Sequence, residues 1–326
     1  MTWVIWRQYR TTVAIAGAIL AAYAVLLLVT GLGDAARWHA ALASCGKNNS
    51  CGNLAQTLSL GTGPVATLAI LTLIVPVLFG MFWGSPAVAR ERETGTMQYA
   101  WTQSVTRWRW LSVKVSWLLL AGAVFGGAVA GIVTWWYAPV NALNQGQFTP
   151  GYFDIQGIAP IGYAVFAVAL GIAAGALIGR SLPALAVTAG VFLALRLAVT
   201  YGLRVHFLPA VTTVYSVTAN LPLKGATWHL EQGVVLPGGQ FATGLSVGPG
   251  YVISGPGGPQ VPAACQATSQ ISATLSCMAR LGYHSFATYQ PGYRFWPFQF
   301  METGLFVALA AAAIAVTFLV VRRRDA

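Results

Sequence analysis

The sequence predicts an all-α membrane protein with six transmembrane helices, both termini in the cytoplasm, and a Gly/Pro-rich extracellular segment between the fifth and sixth spans. Three observations carry this prediction. First, only 8% of the 326 residues are charged while 56% are hydrophobic, and the mean hydropathy is +0.66. An ordinary soluble domain carries about a quarter charged residues, so this chain cannot coat a soluble particle of its size. Second, six stretches are long and apolar enough for the roughly 20 residues a membrane helix requires. Third, lysine and arginine collect on one side of the membrane once the N-terminus is placed inside. A soluble enzyme, a disordered regulator and a fibrous protein are excluded. The net charge of +11 is read as membrane-flanking charge, because no soluble basic face exists to meet nucleic acid.

The first span is expected at about 11–30. Arg7 and Arg10 precede it as in a signal peptide, but the apolar run is too long for a usual signal core, so an uncleaved span is expected. The second and third runs cover 62–83 and 111–136, and a cytoplasmic loop at 84–110 joins them. Runs at 158–179 and 183–203 follow, then a long segment at 204–300, then a last run at 301–321. This gives a membrane domain at 1–203, an extracellular cap segment at 204–300, and a sixth span with a basic tail at 301–326. Apolar residues are continuous in these runs, not alternating as in barrel strands. Gly122, Gly126, Gly127 and Gly131, and again Gly171, Gly175 and Gly179, recur at spacings that let helices approach closely.

Orientation follows from charge. With the N-terminus inside, Arg7, Arg10, Arg90, Arg92, Arg107, Arg109, Lys114, Arg180, Arg322, Arg323 and Arg324 are cytoplasmic. Arg37, Lys47, Arg204, Lys224, Arg280 and Arg294 fall outside, spread over longer loops. All four cysteines, Cys45, Cys51, Cys265 and Cys277, also fall outside, where disulfides form. Four cysteines allow three pairings. Local pairing, Cys45 with Cys51 and Cys265 with Cys277, closes two short loops. The spacings lack C-x-x-C and have no histidine cluster beside them, against a metal site.

The 204–300 segment is rich in turn dipeptides such as Pro237-Gly238-Gly239 and Gly255-Pro256-Gly257-Gly258-Pro259. A short helix held by a disulfide is expected near 265–281. The aromatic run Tyr289, Tyr293, Phe295, Trp296, Phe298 and Phe300 suits a membrane interface before the last span. No internal repeat is visible, so the inverted halves of many secondary transporters find no support.

The loop after the second span holds the one dense cluster of both charge signs, Arg90-Glu91-Arg92-Glu93-Thr94-Gly95-Thr96. Ser85 is an N-cap candidate, Pro86 suits the first helical position, and Gly95 suits the position just past the helix end. Two turns of charged helix are expected there. This stretch, followed by Gln103-Ser104-Val105-Thr106-Arg107 and by Lys114 opening a span, resembles the first cytoplasmic loop of ATP-binding-cassette exporter permeases of the type-2 class. Those proteins commonly show R-E-x-E-x-G-T and then a P-V-S-R-like turn; here Ser104 and Thr106 stand where Pro and Ser are frequent. The six-span layout is also similar.

The resemblance implies a permease that pairs with a second permease, a homodimer, and with two ATPase subunits that hold ATP and Mg. It implies that Glu91, Glu93, Gly95 and Thr96 belong to a coupling helix that docks on the ATPase. It also implies a short amphipathic N-terminal helix, here around Trp3, Trp6, Arg7, Tyr9 and Arg10. The chain has no G-x-x-x-x-G-K-[ST] and so needs no cofactor of its own; energy must come from a partner or an ion gradient. A gradient-driven carrier usually buries several ionisable groups, whereas the predicted spans hold only Arg196 and, near their ends, Lys114 and Glu302. Arg196 and Glu302 lie at compatible depths in the outer half of their spans and are a candidate ion pair, as an outer gate latch or a static contact, the alternative being an Arg196 that snorkels alone.

The expected function is therefore a multi-pass cell-membrane permease, not itself an enzyme, that exports a hydrophobic small molecule or lipid and meets no nucleic acid. The alternatives are a sensory or immunity permease of the same kind, or a membrane enzyme. The last is disfavoured because His206, His229 and His284 have no carboxylate set and no H-E-x-x-H is present.

Overall fold

The computed structural model describes residues 2–48, 64–95, 106–138, 147–148, 150–219, 227–248, 251–255, 258–266 and 270–324. Among these described residues, six helical columns are long and apolar enough to cross a membrane: Tyr9–Gly33, Leu71–Glu93, Trp108–Trp136, Ala159–Ile178, Ser181–His206 and Gly292–Arg323. Each overlaps one of the six predicted runs. The chain divides into two units: residues 1–142, 150–204 and 296–326, and residues 143–149 with 205–295.

The first unit is helical. Its elements are α1 (Thr2–Asn48), α2 (Pro64–Phe79), a π-turn (Gly80–Gly84), α3 (Pro86–Glu93), α4 (Arg107–Trp136), the short α5 (Tyr152–Ile155), α6 (Ala159–Ile178), α7 (Ser181–Leu197), a second π-turn (Ala198–Leu203), and α9 (Phe295–Arg324), whose first residue belongs to the second unit. The first helix is continuous from Thr2, so the separate N-terminal amphipathic helix does not form. No Gly or Pro interrupts the chain between Trp3 and Ile15 to break it.

The charged helix also differs from expectation. It continues the second span through the π-turn, in which Ser85 N–H donates to Gly80 O at 3.0 Å. Pro86 supplies the cause: it has no N–H, and its ring clashes with the carbonyl four residues back, so the ladder widens just before it. Ser85 is accordingly helical and makes no side-chain cap. Its hydroxyl instead lies 2.9 Å from Thr188 Oγ1 on α7. The expected end does form: Thr94 caps the helix, and Gly95 follows with φ 69°, a left-handed conformation that glycine adopts at little cost.

α6 is the centre of this unit, buried along almost its whole length. Its small residues decide the packing. A Cβ on Gly171 or Gly175 would strike the backbone of Gly80, Gly84 and Ser85, and one on Gly126 of α4 would meet Ala164 Cβ at 2.8 Å. Gly127 and Gly131 do not serve this way: Gly127 makes only ordinary contact with Ile161, and Gly131 has nothing within 4 Å. Around these contacts Trp83, Val88, Leu111, Val115, Val168 and Ile172 form one apolar cluster. Leu27, Val129, Val133, Trp136, Tyr137 and Ile155 form another.

The all-α expectation fails in the second unit. It contains β1 (Val211–Ser216), β2 (Trp228–Val235), β3 (Phe241–Thr243), β4 (Leu245–Gly248), β5 (Tyr251–Ser254), α8 (Ile271–Arg280) and β6 (His284–Gln290). An antiparallel sheet runs β1-β6-β2-β3, and β4 pairs with β5. The turn residues seen in the sequence join strands: Leu236 N–H donates to Gln240 O at 2.9 Å across Pro237-Gly238-Gly239, closing the β2–β3 hairpin. The strands are rich in β-branched and aromatic residues, and β1 alternates in burial, a pattern that its short length concealed. α8 lies where a helix was expected. Cys277 on it stands at disulfide distance from Cys265, with Cα atoms 5.6 Å apart. The side chain of Cys45, and all of Cys51, lie outside the described residues.

Candidate functional site

Two polar constellations stand out in the first unit, at opposite ends of α6 and α7. The first is the charged stretch of α3, where three consecutive side chains reach three different helices. Glu91 accepts from Lys114 Nζ of α4 at 2.5 Å, and Lys114 is only 2% exposed. The same ammonium faces the ring of Trp110 at 5.0 Å and that of Tyr9 on α1 at 5.9 Å. Arg92 Nη1 donates to Ala176 O at 2.6 Å, meeting a carbonyl that the end of α6 leaves open. Glu93 accepts from Ser181 N–H at 2.8 Å and from the Ser181 hydroxyl at 2.7 Å, capping the start of α7. Between these contacts Gly179, with φ 72°, turns the chain from α6 into α7.

The consequence is a bracket. Arg92 holds the C-terminal end of α6 and Glu93 the N-terminal end of α7, each with the charge sign that its helix end favours. Arg90, Thr94 and Gly95 on the same stretch are exposed. Thr96 lies outside the described residues.

The second constellation is a buried charge cluster. Arg204 is fully buried, and it donates to Glu302 through both Nε (2.7 Å) and Nη2 (2.6 Å). Nη2 also meets Asp154 Oδ1, and the guanidinium lies over the Phe153 ring at 4.4 Å. Arg196 Nη2 stands 3.4 Å from Asp154 Oδ2, and its guanidinium lies 3.5 Å from the Tyr163 ring centroid. The Tyr163 hydroxyl donates to Glu302 Oε1 at 2.5 Å. The expected pair of Arg196 with Glu302 is thus corrected: both belong to one cluster, but Arg196 takes Asp154 and Glu302 takes Arg204. Arg204 engages both Glu302 oxygens with its planar fork, and the Tyr163 hydroxyl shares Oε1. Arg204, counted as an outer-loop charge from sequence, is buried within the helical unit.

Helix phase explains how both arginines converge. Eight residues on an α-helix advance about 80° beyond two full turns. The π-turn at Ala198–Leu203 turns less per residue and takes out that excess, so Arg196 and Arg204 meet the same Asp154. Two carboxylates and two guanidiniums leave the cluster neutral. Burial alone would push the Asp154 carboxyl up, but the adjacent Arg196 and Arg204 charges and the Arg204 hydrogen bond hold it below the usual range. Among the described residues no group of three or more His, Cys, Asp or Glu gathers to hold a metal.

The family model for ABC-2 membrane transporter related proteins matches residues 17–204, which span both constellations except Glu302 and the N-terminal contact of Tyr9. Comparison with curated proteins and with solved structures gives no match. Six apolar columns and this match identify a multi-pass membrane permease, of a kind that works with an ATP-binding-cassette ATPase. The chain belongs to the ABC-2 membrane transporter related family.

Proposed function

We propose that this chain is the membrane subunit of an exporter, moving a hydrophobic small molecule or lipid outward with ATP hydrolysed on a separate subunit. Two copies would pair with two ATPase subunits, which hold the ATP and Mg; the chain itself carries no catalytic group. The charged end of α3 and the basic tail face the cytoplasm, as the lysine and arginine distribution favours.

The observation that carries this reading is the bracket at Arg92 and Glu93. An ATPase pressing on Arg90, Thr94 and Gly95 moves α3, and α3 is tied to the ends of α6 and α7. The motion reaches the helices that line the protein's interior without any substrate contact by α3. At the far ends of those helices stand Tyr163, Arg196 and Arg204, so the buried cluster is where such a motion is resisted or released. A hydrophobic substrate is favoured because the described buried charges of the spans are engaged with one another.

Co-expression with an ATP-binding-cassette ATPase tests the reading. Co-purification and ATP hydrolysis that rises with added hydrophobic compounds are expected. Failure of any ATPase to co-purify with the intact permease would overturn it.

A further inference from the structure

β1 (Val211–Ser216) stands at one edge of the four-stranded sheet. It pairs with β6 along its whole length and, among the described residues, with no strand on its other side. An edge strand presents a row of unpaired N–H and C=O groups, and proteins guard such a row with a charge, a proline, a bulge or a very short strand. The other edge, β3, is guarded in the last of these ways, with three residues. β1 has none of these guards. It is six residues long, and its sequence Val-Thr-Thr-Val-Tyr-Ser holds no charge and no proline. Its register with β6 runs from Val211 opposite Tyr289 to Ser216 opposite His284 without a shift, whereas the irregularity in this sheet lies in β2, between His229 and Glu231. Thr212, Val214 and Ser216 share one face and are exposed, Val214 by 48%. Opposite Val214 on β6 stands Phe286, whose ring meets that of Phe241 edge to face at 4.9 Å.

We propose that β1 pairs antiparallel with β1 of a second copy of this chain, joining the two sheets into one. A strand that pairs antiparallel with its own copy has a two-fold axis normal to the sheet, so one residue stands opposite itself and side chains of the same face stay together. Centring on Val214 sets valine against valine and Thr212 against Ser216, apolar on apolar and hydroxyl on hydroxyl. Centring on Thr213 sets Val214 against Thr212 instead, which matches an apolar side chain with a hydroxyl. The first register is therefore the favoured one. Charge agrees with a second copy as the partner. Each chain carries a net +11, and β1 is a stretch along which two such chains meet with no like charges opposed. So short a ladder buries less than the roughly 1,200 Å² a free-standing interface needs, so it acts between copies that one membrane already holds together. The inference rests on the pairing of two copies in the exporter reading and is independent of the cargo.

The test traps the ladder in membranes that contain the full chain. Single cysteines are added, an oxidant is applied, and covalent dimer above that of the unmodified chain is read on a non-reducing gel. Val214→Cys is expected to give covalent dimer. Thr212→Cys and Ser216→Cys, each alone, are expected to give none, because each lies about 14 Å along the strand from its own copy and a disulfide needs Cα atoms within about 7 Å. Co-expressed, the Thr212→Cys and Ser216→Cys copies are expected to link to each other. Val214→Lys added to both copies is expected to abolish that link by setting two ammonium groups face to face, with the peptide joining Cys265 to Cys277 still recovered as the check on folding. If that peptide is lost, the mixed cysteine pair decides alone. Copies carrying two different tags report, in the same membranes, whether two chains associate at all. Association without covalent dimer from Val214→Cys overturns the strand pairing and leaves the paired permease standing, whereas no association overturns both. Thr212→Cys or Ser216→Cys linking alone as well as Val214→Cys does would also overturn the proposal.

Discussion

Glu302 of α9 is gripped through both carboxylate oxygens by Arg204, a residue 98 positions earlier that ends the second π-turn. Neither side chain touches solvent. Truncating one partner of a buried pair leaves the other charge uncompensated, typically costing about 3–5 kcal/mol. Glu302→Ala is therefore expected to lower the thermal denaturation temperature in detergent more than any surface substitution, and Arg204→Met with Glu302→Met to recover much of the loss. Exchange of charge between Arg196 and Glu302 is expected to rescue nothing, because these two do not form the ion pair. A double-mutant cycle on each pair checks both statements.

The pH dependence of the same cluster has a fixed sign. Asp154 has a folded-state pKa below its unfolded value, because Arg196 and Arg204 favour the carboxylate. Its contribution is fully present above the unfolded value, about 3.9, and is lost as pH falls through the lower folded value. Stability measured from pH 7 down to 5 should show no loss from this group, with the loss appearing below about pH 4. Asp154→Asn should remove that acid limb while lowering stability at neutral pH.

Glycine packing offers a paired comparison. A methyl on Gly171 meets the backbone of Gly80, Gly84 and Ser85, which cannot move aside singly, whereas Gly131 has open space. Gly171→Ala is expected to destabilise by about 1–3 kcal/mol, the usual range for overpacking. Gly131→Ala is expected to be neutral or stabilising. Side-by-side thermal denaturation of the two variants separates them.

How far the sequence reaches can be judged from these residues. The six spans were legible because about 20 continuous apolar residues have few other uses. The charged stretch was legible because opposite charges are scarce in this chain. The sequence did not reveal that Arg92 and Glu93 point at the α6–α7 turn, since Ala176 and Ser181 carry no signal of their own. Asp154 and Arg204 were missed for a different reason. Each sits just outside an apolar run, where hydropathy assigns a charge to the solvent, and only the π-turn brings Arg204 inward. The strands of the second unit were hidden because short alternating runs such as Val211–Ser216 are easily read as loop among many glycines and prolines.

The link between Cys265 and Cys277 holds α8 to the 3₁₀ turn before it. A loop of this length stabilises by about 2–4 kcal/mol. Peptide mapping without reduction should recover the two cysteines in one linked species, and Cys265→Ser with Cys277→Ser should expose the 259–283 region to protease first. Free thiols at both positions in protein isolated from its native compartment would contradict the pairing.

The two glutamates of α3 should behave differently when changed. Glu91→Ala strands the buried Lys114 ammonium, so misfolding is expected and would say nothing about coupling. Glu93 is exposed, and its replacement by Gln keeps the shape while weakening the cap on Ser181.

The most direct test of the account is ATP hydrolysis by the permease–ATPase complex carrying Arg92→Gln with Glu93→Gln, measured with and without a hydrophobic compound that stimulates the unmodified complex. The account predicts an assembled complex with basal hydrolysis retained and stimulation by the compound strongly reduced, because both ties from α3 to the α6–α7 turn are weakened. Full stimulation in an intact complex of this double variant would contradict it.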